Sequence, residues 1–277
     1  MADHVTFKRP KHFDLDLIFD CGQSFRFVKS SDRSYSGIAF GRSVDFIQED
    51  DKITIIGANE DDFQSIWKRY LALDIDYSAL REEISTARPD DLVLQKAMEY
   101  GSGIRLLRQE KWETLCSFII SQNNNIPRIR SLVEAISREY GDKIDSYSVG
   151  DFYSFPSAKK VAEIGIEKLR ELKVGFRAPY IHDAATKIAS GEIDLEALEA
   201  LSTDELLESL MSIKGVGLKV ASCVALFAYG RLDCFPIDVW IKRVLDKYYP
   251  DGFDHKALPN TAGLVQQYLF YYERFKQ

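Results

Sequence analysis

A chain of 277 residues with 45% hydrophobic and 12% aromatic content is long enough to bury one large core or two smaller ones. No apolar run reaches the roughly 18 residues of a membrane span, and the N-terminus "MADHVTFKRPKHFDLD" lacks the apolar stretch of a signal peptide, so the expected location is the cytoplasm. The net charge of −7 excludes a surface coated in positive charge but leaves room for nucleic acid held by a local patch.

Residues 1–60 carry a strand pattern. "SFRFV", "YSGIAF", "SVDFIQ" and "KITIIG" are short, aromatic and β-branched, and polar turns separate them. They predict an antiparallel meander of about four to five strands, with a hairpin across "FVKSSDRSYSGIAF". From Asp61 the period changes to that of helices. "DDFQSIWKRYLAL", "SALREEIS", "DDLVLQKAMEYG", "KWETLCSFIISQ", "NIPRIRSLVEAISREYG", "SAKKVAEIG", "EKLRELKVGF", "APYIHDAATKIAS" and "DLEALEAL" follow in order. The expected fold is α+β. An N-terminal antiparallel sheet domain with helices spans about 1–100, and a mostly helical domain spans 101–277.

Charge is uneven along this outline. Residues 101–190 hold 14 Lys/Arg against 11 Asp/Glu, whereas residues 191–210 hold seven acids and no base. Residues 211–247 return to six bases against three acids. Cys21, Cys116, Cys223 and Cys234 form no CxxC, and there are only four histidines. A zinc or iron–sulfur site is therefore not expected, and the thiols read as reduced and partly buried.

The stretch "TDELLESLMSIKGVGLKVASCVALFAYG" predicts a helix–hairpin–helix at about 203–229. Thr203 is the expected cap of the first helix. Gly215, Val216 and Gly217 form the turn, and the glycines permit a sharp reversal and close backbone approach. A second helix starting near Leu218 presents N–H groups and a positive dipole end, which suits a DNA phosphate. A plain helix–helix turn would use the same glycines. Lys219 shares a helical face with Ser222, Cys223 and Leu226. A desolvated amine there is a nucleophile suited to Schiff-base chemistry, whereas a lysine that snorkels outward would bind phosphate. Asp238, after Pro236 in "FPID", caps the next helix. It could also stabilise positive charge developing on a sugar, as cleavage of a glycosidic bond requires. Together the lysine, the acid and the hairpin point to cleavage of an N-glycosidic bond in DNA.

"LMSIKGVGLKVASC…FPIDVW" resembles the signature of the helix–hairpin–helix DNA glycosylase superfamily, and a lysine at position 219 is the mark of its bifunctional members. "FDCGQSFRF" (19–27), "GIRLLRQEKWETLCSFIISQNNNIPRI" (103–129) and "VGFRAPYI" (174–181) are similar to blocks of the 8-oxoguanine DNA glycosylase family, in the same order. The resemblance covers about residues 13–273. It implies base excision from duplex DNA containing 8-oxoguanine, with strand cleavage at the abasic site. It implies action as a monomer without metal or cofactor, in the cytoplasm of a bacterium and associated with its DNA.

By the same resemblance Lys219 attacks the sugar C1′ and Asp238 assists. Gly22 offers its carbonyl to the N7–H of 8-oxoguanine, Phe270 and Cys223 sandwich the flipped base, and Gln266 bonds its Watson–Crick edge. Asn123, Arg128 and Arg177 contact the cytosine left behind, and Phe176 wedges into the duplex. Gln266 and Phe270 are four residues apart, so one helix face can present both to one base. Departures from the eukaryotic pattern are Trp240 where many relatives have histidine, Phe176 in place of tyrosine, and Pro127 and Phe227. They lead to the expectation of a bacterial branch with relaxed choice of the opposite base. Two alternatives stay open, a glycosylase for another damaged base and a non-catalytic DNA-binding protein that keeps the hairpin.

Overall fold

The computed structural model describes residues 3–146 and 150–276. Five antiparallel strands, β1 (His4–Lys8), β2 (Phe27–Ser31), β3 (Ser34–Ala39), β4 (Arg42–Gln48) and β5 (Lys52–Ile56), form one sheet in the order β1-β5-β4-β3-β2. The expected β2–β3 hairpin is present, with Phe27 opposite Gly37 and Lys29 opposite Tyr35. Two features depart from expectation. β1 pairs with β5 across the sequence, Val5 opposite Ile55, and the "SFRFV" strand begins only at Phe27. Ser24–Arg26 turn away because Phe25 packs edge-on against Phe118 at 5.8 Å and Arg26 bonds Ser137 and the Tyr153 carbonyl.

The inner face of the sheet is aromatic. Phe19, Phe27, Tyr35 and Phe46 pack on Trp67 and Tyr70 from a helical segment over residues 60–70, with Phe19 stacked on Phe27 at 4.6 Å. Phe19 lies on α1 (Leu15–Phe19), a short helix that Asp14 caps by accepting from the Leu17 N–H.

The other helices are α2 (Tyr77–Ala87), α3 (Leu92–Tyr100), α4 (Lys111–Ser121), α5 (Ile126–Tyr140), α6 (Ala158–Glu171), α7 (Ala178–Ala189), α8 (Thr203–Met211), α9 (Leu218–Tyr229), α10 (Val239–Tyr248) and α11 (Ala262–Phe275). They enclose a second core, which also takes in Cys21, Phe25, Tyr77, Ile84, Leu94 and Met98. "SAKKVAEIG" and "EKLRELKVGF" meet in α6 across a break at Gly165, whose φ is +76°. "DLEALEAL" forms only a 3-10 turn at Ala197–Ala200.

One buried cation ties the two cores. Arg105 is 2% exposed and donates to the carbonyls of Leu71, Ala72 and Ile75, with its guanidinium 4.0 Å from the Tyr77 ring centroid. Carbonyl oxygens and an aromatic face replace the water that this charge gives up. Among the described residues, no helix is long and apolar enough to cross a membrane.

Candidate active site

The hairpin forms as expected, with one correction. Ser202 rather than Thr203 caps α8. Its hydroxyl accepts from the Glu205 N–H at 3.3 Å while the Glu205 carboxylate accepts from the Ser202 N–H at 2.9 Å. The reciprocal pair requires the extended backbone of Ser202, and Thr203 is already helical. The two turn glycines do different work. Gly215 has φ +77°, and a Cβ there would lie 2.4 Å from the Tyr180 ring. Gly217 has ordinary extended backbone and open space where a Cβ would stand. Both are exposed, while Val216 between them is buried.

Beyond the turn, α9 is buried from Val220 to Tyr229, and Lys219 stands half-buried at its first turn. Its Nζ donates to Ser121 Oγ at 3.2 Å and lies 5.6 Å from the Phe118 ring centroid. The immediate neighbours of the amine thus come from α4 as well as from its own helix. Asp238 caps α10, its Oδ1 accepting from the N–H groups of Trp240 at 2.9 Å and Ile241 at 2.8 Å. Two backbone donors fix this carboxylate, so its direction is set by the helix rather than by a flexible stem.

Lys219 and Asp238, distant in sequence, line one cavity of about 640 Å³. Cys223 lies there too, its thiol pushed up to about 11 by burial, with the Lys219 charge pulling down and the Asp238 charge pushing up. The same cavity is lined by Gly22, Gln266 and Phe270. Gly22 has φ +85°, and a Cβ on it would meet Ile126 at 3.0 Å and the Phe270 ring at 3.4 Å. Only glycine brings this backbone so close to the aromatic wall.

The Gly22 loop is pinned on both sides. Gln267 donates to the Cys21 carbonyl at 2.7 Å. Gln23 donates to the carbonyls of Ile18 and Arg105, both at 2.8 Å, and accepts from the Leu107 N–H. Gln266 is 5% exposed, and its Oε1 is buried without a hydrogen-bond partner among the described residues. An orphaned amide oxygen in a cavity wall is costly unless a ligand completes it.

A second, open recess gathers Asn123, Arg128, Phe176 and Arg177. Of the triple asparagine, Asn125 caps α5 through the Arg128 N–H and Asn124 bonds the Ile120 carbonyl. Asn123 is exposed, with φ +49°. Arg177 is 6% exposed and donates to the carbonyls of Gln122, Asn123 and Val174. In this state it braces the Asn123 loop. Phe176 is 51% exposed, lying under the Arg177 guanidinium at 4.4 Å and edge-on to Tyr180.

Among the cavity residues that the sequence pattern did not single out are Ser121, Phe118, Lys242 and Arg274. For Arg274 a signal existed, since it continues the spacing of four set by Gln266 and Phe270. Trp240 lines the cavity as well, with the Arg243 guanidinium 4.8 Å from its ring. Among the described residues, no three His, Cys, Asp or Glu side chains are grouped to hold a metal ion.

Residues 6–115 match the model of the N-terminal domain of 8-oxoguanine DNA glycosylase, and residues 116–259 that of the helix–hairpin–helix superfamily of base excision DNA repair proteins. An N-glycosylase/DNA lyase of Saccharomyces cerevisiae is 30% identical over 84% of this chain and 67% of its own. The structure of MBOgg1 in complex with a low-affinity DNA ligand superposes with a TM-score of 0.93 at 41% identity, covering 99% of this chain and 96% of that one. The Clostridium acetobutylicum 8-oxoguanine glycosylase/lyase, solved with double-stranded DNA containing cytosine opposite 8-oxoG, superposes at 0.89 with 35% identity over 99% of both chains. The chain therefore belongs to the helix–hairpin–helix superfamily of base excision DNA repair proteins, and within it to the 8-oxoguanine DNA glycosylases.

Proposed function

We infer that the protein excises 8-oxoguanine from duplex DNA and then breaks the strand at the exposed sugar. The observation that carries the chemistry is the sharing of one cavity by Lys219, Asp238 and the unpaired Gln266 amide. A nucleophile, a fixed anion and an unsatisfied hydrogen-bonding edge are what excision of a flipped base requires.

In this reading the hairpin backbone at Gly215–Gly217 grips the phosphates and the lesion nucleotide swings into the cavity. The base lies between Phe270 and Cys223. The Gly22 carbonyl accepts the N7–H that 8-oxoguanine has and guanine lacks, and Gln266 completes the Watson–Crick edge. The lone pair of Lys219 Nζ forms a bond to C1′ as the C1′–N9 bond breaks. The electron pair leaves with the base, which takes up a proton. Asp238 lowers the energy of the cationic sugar by charge alone. The sugar ring then opens to an imine on Lys219. Loss of a C2′ proton expels the 3′-phosphate, and water hydrolyses the imine to free the lysine.

Phe176 fills the gap in the stack, while Asn123 and Arg128 meet the orphaned cytosine, with Arg177 joining them once the loop moves onto DNA. Sheet and helices divide the labour: residues 1–100 contribute Gly22, and residues 101–277 contribute the rest. All these groups come from one chain, which supports action as a monomer. Four buried unpaired thiols fit a reducing compartment. The likeness to the Clostridium enzyme supports placing the protein in a bacterial cytoplasm.

The test is release of base and nicking on duplexes carrying 8-oxoguanine, an oxidised pyrimidine or an alkylpurine. Excision confined to 8-oxoguanine is expected, and preference for either other lesion would overturn the substrate assignment. Running the 8-oxoguanine duplex opposite C and opposite A tests relaxed choice of the opposite base, and strict dependence on C would count against it.

A further inference from the structure

Arg274 is a half-buried guanidinium in the wall of the catalytic cavity. Aromatic faces surround it, Phe275 at 5.3 Å, Phe270 at 5.6 Å and Trp240 at 5.7 Å from ring centroid to Cζ. It forms no ion pair and no hydrogen bond with any described residue. The charge that reaches it is that of Asp238, beyond bonding distance, and burial among the rings disfavours its ionised form. Aromatic faces offset part of the desolvation but give the five N–H donors no acceptor from the protein. By contrast, Arg105 donates to four carbonyls, Arg177 to three, and Arg26 to a carbonyl and a hydroxyl.

We propose that Arg274, held on the Trp240 face, binds a phosphate flanking the flipped nucleotide and so positions its sugar between Lys219 and Asp238. A phosphodiester is the acceptor that DNA brings to this place, and its charge and oxygens match the donors of a guanidinium. Neither the base edge, served by Gln266 and Gly22, nor Asp238, whose Oδ1 is taken by two N–H groups, needs it. The helix spacing Gln266–Phe270–Arg274 then sets base edge, base face and phosphate along one side of α11. Trp240 supplies the platform rather than a contact of its own. Arg243 on the same indole holds that platform in place.

This inference rests on the base-excision reading, and the experiment separates the two. Duplexes carry 8-oxoguanine and a single neutral methylphosphonate at the lesion's 5′-phosphate, at its 3′-phosphate, or several nucleotides away. Dissociation constants and single-turnover excision are measured for the wild type, Arg274→Leu and Arg274→Gln. Loss of one charged phosphate contact weakens binding of the unmodified duplex by about tenfold in both variants and lowers the salt slope by about one. One of the two flanking methylphosphonates costs the wild type the same factor and costs the variants nothing further.

Equal losses for wild type and variants at both flanking positions would overturn the contact. So would a slower excision step with unchanged affinity, which would make Arg274 a partner of Asp238 instead. A wild type that fails to excise 8-oxoguanine from the unmodified duplex would defeat the base-excision reading itself. Both variants keep the side chain as far as Cδ and remove no hydrogen bond, so an unchanged melting temperature is expected of them.

Discussion

Replacing each hairpin glycine by alanine separates two demands that the same motif places on its backbone. At Gly215 the backbone is left-handed, which costs an L-residue about 1–2 kcal/mol. The added Cβ would also stand 2.4 Å from Tyr180, deep inside contact distance, and relieving such overpacking costs about 1–3 kcal/mol. Alanine returns roughly 0.4–1 kcal/mol by restricting the unfolded chain. Gly215→Ala should therefore lose about 3 kcal/mol, a fall of roughly 6–12 °C in melting temperature for a chain of this size. Moving Tyr180 also moves the edge on which Phe176 rests, so Phe176 is disturbed from a distance.

Gly217→Ala meets no atom within 4 Å and no unfavourable φ, and its stability should stay within about 1 kcal/mol of wild type. Yet its methyl would stand where the hairpin backbone approaches phosphate, so binding to duplex DNA should weaken severalfold. Thermal unfolding and fluorescence anisotropy on a lesion duplex read the two effects. Equal destabilisation by both substitutions, or a Gly215→Ala protein as stable as wild type, would refute the steric argument.

Three further substitutions address single groups. Gln266→Met removes a buried oxygen without a partner. Chemical denaturation should show a gain of about 1 kcal/mol while excision of 8-oxoguanine falls at least tenfold. Glu113 has its carboxyl raised from 4.5 to about 7 by burial, which the Arg26 charge at 3.7 Å offsets only in part. The folded state therefore holds this proton more tightly than the unfolded one, and stability falls as pH rises from about 4.5 to 7. Glu113→Gln should match wild type near pH 4 and exceed it by up to roughly 3 kcal/mol at pH 8, as urea titrations across that range would show. Arg128→Ala should leave the fold intact, since the side chain is exposed and makes one long bond to the Lys173 carbonyl. It should narrow the difference in excision rate between cytosine and adenine opposite the lesion.

The parts of the site that were legible in the sequence are local. The glycines of the hairpin, the cap at Asp238 and the spacing of Gln266 and Phe270 depend on backbone geometry within a few residues. What escaped depends on packing between distant segments. Ser121 bonds Lys219 across 98 positions, and Gln267 pins Cys21 across 246. β1 finds β5 only when the meander folds back, and periodicity says nothing of which edge it joins. Ser202 outcompetes Thr203 because the capping box counts back from Glu205, a distinction of one residue that both sequences of atoms could satisfy until φ is fixed. The role expected of Arg177 turns on state. Its guanidinium is spent on loop carbonyls here, and pattern alone cannot tell a bracing arginine from a reading one.

Borohydride trapping tests the central claim most directly. Reduction of an imine between enzyme and 8-oxoguanine duplex leaves a covalent adduct that migrates as one species on a denaturing gel. Wild type is predicted to form it and Lys219→Gln to form none, although the variant still binds the duplex. An adduct of undiminished yield with Lys219→Gln would contradict the assignment of the nucleophile, and no adduct with wild type would contradict the lyase chemistry altogether.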